Sequence, residues 1–295
     1  SFSNSFHRFS LLAFKAIIFV NSHHRIIFVF FKEMKLYLYQ IDAFTDKVFG
    51  GNPACVVPLH KWLEDEILLK IAQENAVSET AFFVQNDHFF HLRWFTPDIE
   101  MDLCGHATLA AAYVIKKYLK YPKDVIPFNS LSGKLNVHAN DENFTLDFPS
   151  REPASSELPL LIKNSLSIQP QKILKSRDYF LVYNNQKEIE DIKIDRSIID
   201  QINLDPGGVI ITAKGDNCDF VSRWFAPQST IFEDPVTGSA HCSLIPYWSK
   251  ELKKKKMEAM QLSSRKGKLL CEDKGERVLI SGKAATYFIG NIWID

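Results

Sequence analysis

The chain has 295 residues and a mass of 33.9 kDa, with 46% hydrophobic residues and 35 basic residues balanced by 35 acidic ones. This composition excludes intrinsic disorder, which requires few apolar residues and a large net charge. It also lacks the basic excess that is typical of nucleic-acid binders. The five cysteines are odd in number and irregularly spaced, which indicates no disulfide framework and favours the cytoplasm.

The first 33 residues are interpreted as an extension outside the fold. They are rich in phenylalanine and contain no acidic residue before Glu33. The apolar run from Leu11 to Val20 is interrupted by Lys15 and is shorter than the ~20 residues that a membrane-spanning helix needs. We expect translation to begin at Met34, with a targeting or membrane-surface segment as the alternative.

Strands and helices alternate in the segment that follows. Leu63, Ile67 and Ile71 recur at helical spacing, which predicts a helix over about 62–75. Asn86-Asp87 is typical of a hairpin turn between two strands. The predicted strands of this segment are 36–41, 54–58, 81–85 and 89–95, and a second helix is predicted over 105–120.

The remainder of the chain repeats this alternation. A further helix is predicted over 238–252, and Pro246 should kink it because proline has no N–H to donate. Strand-like runs precede this helix at 143–148, 179–183, 208–212 and 218–225. Such alternation predicts an α/β or α+β fold.

An internal repeat divides the chain into two related domains. Arg-Trp-Phe-Thr-Pro at 93–97 recurs as Arg-Trp-Phe-Ala-Pro at 223–227. Each copy leads into a helix start that contains glycine, at Gly105 and at Gly238. We therefore predict two pseudo-symmetric domains, 34–150 and 151–295, with a return of the last strand to the first domain as the alternative.

The two glycine-headed helix starts indicate an anion site. The first N–H groups of a helix have no partner within it and carry the positive end of the helix dipole. Such groups bind anions, and glycine permits a close approach of the ligand. Two helix starts that face each other would enclose a small anion in a cleft between the domains. The alternative is that Gly105 and Gly238 only begin two core helices.

Three titratable side chains lie near these positions in the sequence. Glu79 follows a predicted helix and precedes a strand, and burial there would suit it to proton transfer. His106 lies at a helix N-terminus, where the dipole disfavours its charged form. Asp234 precedes Pro235, which restrains the loop. Solvated turns and helix capping remain the alternatives for these residues.

Six motifs, in this order, resemble those of the PhzF-like isomerases of phenazine biosynthesis, which are relatives of diaminopimelate epimerase. They are Asp42-Ala43-Phe44, Gly51-Asn52-Pro53, Ser78-Glu79-Thr80, Arg93-Trp94-Phe95-Thr96-Pro97, Cys104-Gly105-His106-Ala107-Thr108 and Glu233-Asp234-Pro235-Val236-Thr237-Gly238-Ser239-Ala240. The resemblance covers about 34–295. It implies two diaminopimelate-epimerase-like domains, each a curved mixed sheet wrapped around a central helix, with a cofactor-free site between them and usually a homodimer.

The resemblance also implies roles for individual residues. Glu79 matches the general acid/base, and His106, Asp234 and Ser239 match the other polar groups of the site. A small carboxylate-bearing substrate is expected, and no metal, nucleic acid or membrane. The expected substrate-binding residues are Asn52, Gly105, Ala107, Thr237, Gly238, Ser239 and Ala240.

Three alternatives remain open at the level of sequence. A two-thiol racemase would use Cys104 and a second cysteine, but the second half has Thr237 before its glycine, and Cys242 lies a helical turn further on. A metal site would combine Cys104 and His106 with His241 and Cys242. A protein that binds a ligand without catalysis would keep only the fold. The sequence leaves the substrate open, and also the choice between a hydrogen shift and an epimerisation.

Overall fold

The computed structural model describes residues 10–20, 26–140, 142–204 and 207–294. The helices in these ranges are α1 (Asp65–Asn75), α2 (Gly105–Lys117), α3 (Leu160–Ser165), α4 (Gln186–Asp191), α5 (Arg196–Ile199) and α6 (His241–Leu252). The strands of the first half are β1 (Ser10–Val20), β2 (Ile26–Ala43), β3 (Asn52–Leu59), β4 (Glu79–Gln85), β5 (Phe90–Phe95), β6 (Glu100–Met101), β7 (Val125–Ser130), β8 (Gly133–Asn140) and β9 (Asn143–Pro149). Those of the second half are β10 (Ala154–Ser155), β11 (Lys172–Lys175), β12 (Tyr179–Val182), β13 (Val209–Lys214), β14 (Phe220–Phe225), β15 (Glu233–Asp234), β16 (Lys256–Gln261), β17 (Gly267–Asp273), β18 (Arg277–Gly282) and β19 (Ala284–Ile294).

The first half forms a mixed sheet in which strand directions follow a definite series. β2 and β3 are antiparallel, β3 and β4 parallel, β4 and β5 antiparallel, and β5 and β7 parallel. β7, β8 and β9 then follow as antiparallel neighbours. The two-residue strand β6 pairs with the end of β5. Parallel neighbours need crossover connections, and the β3–β4 connection is helix α1.

The second half repeats this series strand for strand. β11 and β12 are antiparallel, β12 and β13 parallel, β13 and β14 antiparallel, and β14 and β16 parallel. β16, β17 and β18 are antiparallel neighbours, and β15 pairs with the end of β14. The same pairings in the same order show that the two halves share one topology, as the internal repeat predicts.

The halves are joined through their strands. β9 of the first half pairs antiparallel with β18 of the second. The last strand, β19, returns to the first half and pairs antiparallel with β2. The site between the halves is therefore supported by a sheet that continues from one half into the other.

Each half wraps its sheet around one helix. Every residue from Gly105 to Ile115 in α2 is buried, and so is every residue from His241 to Ser249 in α6. A helix that is buried on all sides belongs to the core. Both helices pack into a single hydrophobic cluster that also contains residues from the surrounding strands, including Trp94 and Phe220.

Most predicted elements occur, with shifted ends. The predicted strands correspond to β2–β5, β9 and β12–β14, whereas no strand was predicted at β1, β6–β8, β10, β11 or β15–β19. The helix expected from residue 238 begins only at His241, because the amides of 241–243 bond carbonyls three residues back in a tighter preceding turn. The other two predicted helices are α1 and α2. Helix α1 begins at Asp65 instead of residue 62, and α2 ends at Lys117 instead of residue 120.

Pro246 lies inside α6, where its ring replaces a backbone donor. The carbonyl four residues earlier, that of Cys242, accepts a hydrogen bond from the backbone N–H of Arg151 at 2.8 Å. Arg151 follows β9, at the connection between the halves. The acceptor freed by the proline is therefore satisfied by the interdomain connection.

The N-terminal segment forms a hairpin along the first strand of the fold. β1 pairs antiparallel with residues 26–36 of β2. Residues 1–9 and 21–25 lie outside the described ranges, and the interpretation of 1–33 as an extension stays a prediction. Among the helices of the described ranges, none is both long and apolar enough to cross a membrane.

Candidate active site

The two glycine-headed turns contact each other directly. A Cβ atom added to Gly105 would lie 2.8 Å from the Cα of Gly238, and one added to Gly238 would lie 2.8 Å from the Cα of Gly105. Carbon atoms cannot approach so closely without displacement of the backbone. Glycine at both positions therefore lets the two helix starts converge, as the repeat predicts.

A cavity of about 290 Å³ lies where the helix starts converge. Residues of both halves line it, so the site is shared between the two domains. The expected site residues that line it are Glu79, Gly105, His106, Asp234, Thr237, Gly238 and Ser239.

Glu79 and His106 form the central polar contact of the cavity. Glu79 is the first residue of β4, and His106 is the second residue of α2. The Glu79 Oε2 and His106 Nε2 atoms lie 3.1 Å apart, and the side chains are 14% and 3% exposed. The two atoms are not aligned as a hydrogen bond, so each keeps capacity for another partner. This leaves a carboxylate that can contact both a histidine and a ligand.

The environment of His106 decides its protonation. Burial lowers the pKa of His106, but Cys104 and Glu79 outweigh it and raise that pKa above its ordinary value. Burial raises the pKa of the Cys104 thiol to about 11, so this thiol is neutral at neutral pH. The raised pKa of His106 thus comes from its contacts with both Cys104 and Glu79.

Asp234 is a buried carboxyl group in β15, on the opposite half. Its Oδ2 accepts a hydrogen bond from the Thr237 hydroxyl at 2.5 Å, and its Oδ1 accepts one from Asn52 Nδ2 at 2.7 Å. Burial raises the pKa of Asp234, while the positive charge of His106 opposes that rise. The site thus contains a carboxyl group that is more readily protonated than an ordinary aspartate.

Asn52 lies beneath the cavity and is not among the residues that line it, and its expected contact with substrate stays a prediction. Its side chain is fully buried. Nδ2 donates to Asp234 Oδ1 and to the Val236 carbonyl, and it lies 3.0 Å from His106 Nδ1. Asn52 therefore connects the histidine of one half to the aspartate of the other. Asn52 was singled out in the sequence because it belongs to a motif. Membership of a motif does not show whether a side chain contacts the ligand or supports the residues that contact it.

The structure places the other expected substrate-binding residues Ala107, Ala240 and Thr237 differently from one another. The two alanines are buried and do not line the cavity. Thr237 does line it, but its polar groups are already engaged with the protein. Its amide donates to Gln261 Oε1 at 2.8 Å, its hydroxyl donates to Asp234, and its carbonyl lies 2.9 Å from His241 Nδ1.

Sequence reasoning missed Arg177, which lines the cavity from the second half. It donates through Nη2 to Ser239 Oγ at 3.1 Å. Nothing in the internal repeat marks this position, because Arg177 precedes β12 and no arginine precedes the corresponding strand β3.

The loops that follow the repeated motif close one side of the cavity. Asp98 in the first half and Thr230 in the second half belong to these loops. The Thr230 hydroxyl donates to Asp98 Oδ1 at 3.0 Å, and its amide lies 3.3 Å from Oδ2. This contact joins the two halves across the cavity.

The repeated Arg-Trp-Phe motif supports equivalent hairpins. Arg93 makes a two-point ion pair with Glu100, with both contacts at 2.7 Å. Arg223 makes the same pair with Glu233, at 2.7 and 2.9 Å. The residue after each glutamate lines the cavity, and it is Met101 in the first half and Asp234 in the second.

The strand register also shows where the halves diverge. Ala81 pairs with Trp94, and Ile210 pairs with the equivalent Trp224. Two residues earlier along the chain are Glu79, the first residue of β4, and Gly208, which directly precedes β13. The cavity therefore has a glutamate from one half only, and the site is chemically asymmetric despite its symmetric framework.

The side chains that could hold a metal are Glu79, Cys104 and His106, whose ligand atoms lie within 4.8 Å of one another. Cys104 Sγ approaches His106 Nδ1, whereas Glu79 approaches Nε2. One ion bound to a single imidazole nitrogen cannot use both contacts as they stand. His241 and Cys242 do not join this group among the described residues.

Comparison with known proteins identifies the class. The family model for phenazine biosynthesis-like proteins, PhzC–PhzF, matches residues 41–290. A Pseudomonas aeruginosa protein named an uncharacterized isomerase is 46% identical over 259 residues, which are 88% of this chain and 99% of that protein. A human phenazine biosynthesis-like domain-containing protein is 38% identical, with 88% and 99% covered.

Solved structures agree with this assignment. The PhzF-family protein of Enterococcus faecalis has a TM-score of 0.83 and 43% identity, covering 88% of this chain and all of that one. A hydroxyproline epimerase of Agrobacterium vitis has a TM-score of 0.57 at 9% identity, a likeness of fold alone. The chain belongs to the PhzC–PhzF family and is an isomerase-type enzyme.

Proposed function

We propose that this enzyme moves a proton on a small carboxylate-bearing substrate by general acid/base catalysis, without a cofactor. One observation carries the proposal: Glu79 lies beside His106 in a cavity where two glycine-headed helix starts meet. A carboxylate in such a place can remove a proton from carbon, and nearby donors can stabilise the charge that develops.

Glu79 acts as the base and then as the acid. Its carboxylate takes a proton from a carbon of the substrate, and the electron pair of that C–H bond moves into an adjacent carbonyl or conjugated system. The carboxyl proton of Glu79 exchanges with water, and Glu79 then delivers a proton to a carbon of the same molecule, where the electron pair forms the new C–H bond. No electrons leave the substrate, so the reaction requires no oxidant or reductant.

The neighbouring groups stabilise the intermediate charge. The Nε2 atom of His106 lies 3.1 Å from Oε2 of Glu79, and Asp234 lines the cavity as a buried carboxyl group. The first amides of α2 and the turn at 238–240 supply further donors. Removal of one such donor typically costs about 10²–10³ in rate.

A two-thiol mechanism has less support in the geometry. Cys104 is the one cysteine among the described residues that line the cavity. Burial raises the pKa of Cys104 and of Cys242 to about 11, so neither is a thiolate at neutral pH. If Cys104 were a base, the Cys104→Ser variant would lose activity. We expect it to retain most of its turnover.

The experiment that tests this proposal does not require the substrate to be known in advance. Wild-type enzyme and Glu79→Gln are incubated in heavy water with a small-molecule extract of cells, and mass spectrometry records which carboxylates gain deuterium. We expect at least one compound to gain a single mass unit with the wild type only. Equal labelling by Glu79→Gln would remove Glu79 from the mechanism. An absence of labelling by the wild type would favour a binding protein without catalysis.

Two expectations from the sequence analysis, a homodimer and a cytoplasmic location, remain proposals. The homodimer implied by the family resemblance is tested by analytical ultracentrifugation of the purified chain. The cytoplasmic location is supported by the free state of the five cysteines.

A further inference from the structure

Arg177 is the one lysine or arginine among the described residues that line the cavity. Three aspartates or glutamates line the same cavity, namely Glu79, Asp98 and Asp234. Without a cation, these acids would repel an anionic ligand. Arg177 thus supplies the permanent positive charge that, together with His106, offsets these acids and suits the cavity to a carboxylate.

The guanidinium of Arg177 is not saturated by protein acceptors. Nη2 donates to Ser239 Oγ at 3.1 Å and lies 3.5 Å from Asp178 Oδ2. Nε is buried and has no hydrogen-bond partner within the described part of the chain. The side chain is only 16% exposed, so water has limited access to it. A guanidinium has five N–H donors, and an unmatched buried donor is costly.

Asp178 supplies one contact to the guanidinium, since its Oδ2 lies 3.5 Å from Nη2, whereas its other oxygen is engaged elsewhere. Its Oδ1 accepts from the Gly208 amide at 2.9 Å and lies 3.3 Å from Trp224 Nε1. Asp178 thus holds the start of β13 and an indole of β14. Within the described part of the chain, Nε of Arg177 has no acceptor, so a ligand oxygen could provide one.

Ser239 completes the arrangement. Its Oγ accepts from Arg177, which leaves its own O–H to donate. Thr237, in contrast, has already donated its hydroxyl hydrogen to Asp234. A ligand oxygen near Arg177 would thus meet a guanidinium and a free hydroxyl together.

We propose that Arg177 and Ser239 bind the carboxylate of the substrate and set the specificity of the site. This inference rests on the proposed function, since it takes the cavity to be the substrate site. A carboxylate offers two oxygens in the plane that a guanidinium fork recognises. The substrate carboxylate is held by residues of the second half, whereas Glu79 is supplied by the first half. The substrate class is then a planar carboxylate whose reactive C–H faces the other domain.

The test compares two probes of equal shape, benzoate and benzamide. Trp224 lines the cavity, so its fluorescence reports occupancy, and calorimetry gives the affinity. Wild-type enzyme is expected to prefer benzoate by about 10-fold to 100-fold, because hydrogen bonds to charged groups contribute about 1.5–3 kcal/mol. Arg177→Met is expected to lose this preference. Arg177→Lys should keep part of it, because the charge remains but the fork is lost.

A control variant separates the local effect from a change in net charge. Arg277, the first residue of β18, pairs with Asp147 of β9. Its side chain is 46% exposed and does not line the cavity. Arg277→Met is expected to bind both probes as the wild type does. Circular dichroism of each variant confirms that it is folded before its affinity is interpreted.

The outcomes distinguish this inference from the proposed function. Glu79→Gln should keep the preference for benzoate even though proton transfer is lost. The proposal is overturned if the wild type does not discriminate between the probes, or if folded Arg177→Met retains the full preference. For a substrate found by deuterium labelling, Arg177→Met should raise KM at least tenfold, whereas Glu79→Gln should lower kcat.

Discussion

Asn52 and Asp234 are 182 residues apart in the chain, and a hydrogen bond of 2.7 Å joins them beneath the cavity. Each comes from a different half, and Asn52 also lies 3.0 Å from His106. The polar residues of the site are therefore held in place by one another as well as by the backbone. Removal of the Asn52 side chain should therefore disturb several residues of the site at once.

Asn52→Ala should lower both turnover and stability. It removes a donor to a buried carboxyl group, and hydrogen bonds to charged groups contribute about 1.5–3 kcal/mol. Urea unfolding measures the stability, and deuterium labelling measures the turnover. Thr145→Ala is the control, because it removes a 2.7 Å bond between the halves, to Ser281, away from the cavity. It should cost less stability and leave turnover unchanged. Unchanged turnover in Asn52→Ala would contradict the supporting role.

Gly105→Ala should separate the two helix starts. The added Cβ would meet the backbone of Gly238 at 2.8 Å, and overpacking of this kind costs about 1–3 kcal/mol. We expect lower thermal stability and loss of turnover. Gly133→Ala serves as the control, since a Cβ there meets nothing within 4 Å and only the positive φ of 87° is unfavourable. That variant should lose stability while it keeps its turnover. Full activity in Gly105→Ala would show that the close contact is not needed.

The duplicated ion pairs provide a matched comparison. Glu100 and Glu233 are 23% and 24% exposed, and each pairs with the arginine of its repeat. Glu100→Gln and Glu233→Gln should therefore each cost about 1 kcal/mol or less. Only Glu233 directly precedes a titratable residue of the site, Asp234. Glu233→Gln should thus reduce turnover more than Glu100→Gln does. Equal losses in steady-state rates would mean that this pair does not position Asp234.

His241 makes stability depend on pH. Burial lowers its pKa to about 4, against about 6.5 in an unfolded chain. The unfolded state therefore binds the proton more tightly, and stability falls as the pH drops from about 6.5 towards 4. The loss should approach about 3 kcal/mol at the acid end of this range.

His241→Asn tests this dependence. Asparagine can still donate to the Thr237 carbonyl, as the His241 ring does at 2.9 Å, but it does not titrate. The difference in unfolding free energy between variant and wild type, measured by urea at pH 7 and pH 4.5, should shift in favour of the variant at low pH. An equal change in unfolding free energy with pH in the two proteins would contradict the assignment of this pH dependence to His241.

Much of the framework was predictable from sequence for identifiable reasons. The recurrence of Arg-Trp-Phe and of a glycine at each helix start records the duplication, and the structure repeats strand pairings accordingly. Helix α2 was predictable because its apolar run has no breaker. The start of α6 was not, because the small residues at 238–240 are compatible with either a turn or a helix, and only the hydrogen bonds of the folded chain distinguish the two.

The site was only partly predictable. Glu79, His106 and Asp234 carry chemistry that the sequence displays, and they line one cavity. Asn52 was assigned to the substrate because a motif does not reveal whether a side chain points into a cavity or supports it from below. Arg177 was missed because it reaches the cavity from a second-half position outside the repeated motifs, which only the folded chain brings near Ser239.

A crystal structure of Glu79→Gln with the compound identified by deuterium labelling tests the central claim most directly. This variant should bind the compound without converting it. We predict that the labelled carbon lies in contact with the side chain at position 79, with the compound enclosed between the turns at Gly105 and Gly238. A compound bound outside this cavity, or with its labelled carbon turned away from position 79, would contradict the account.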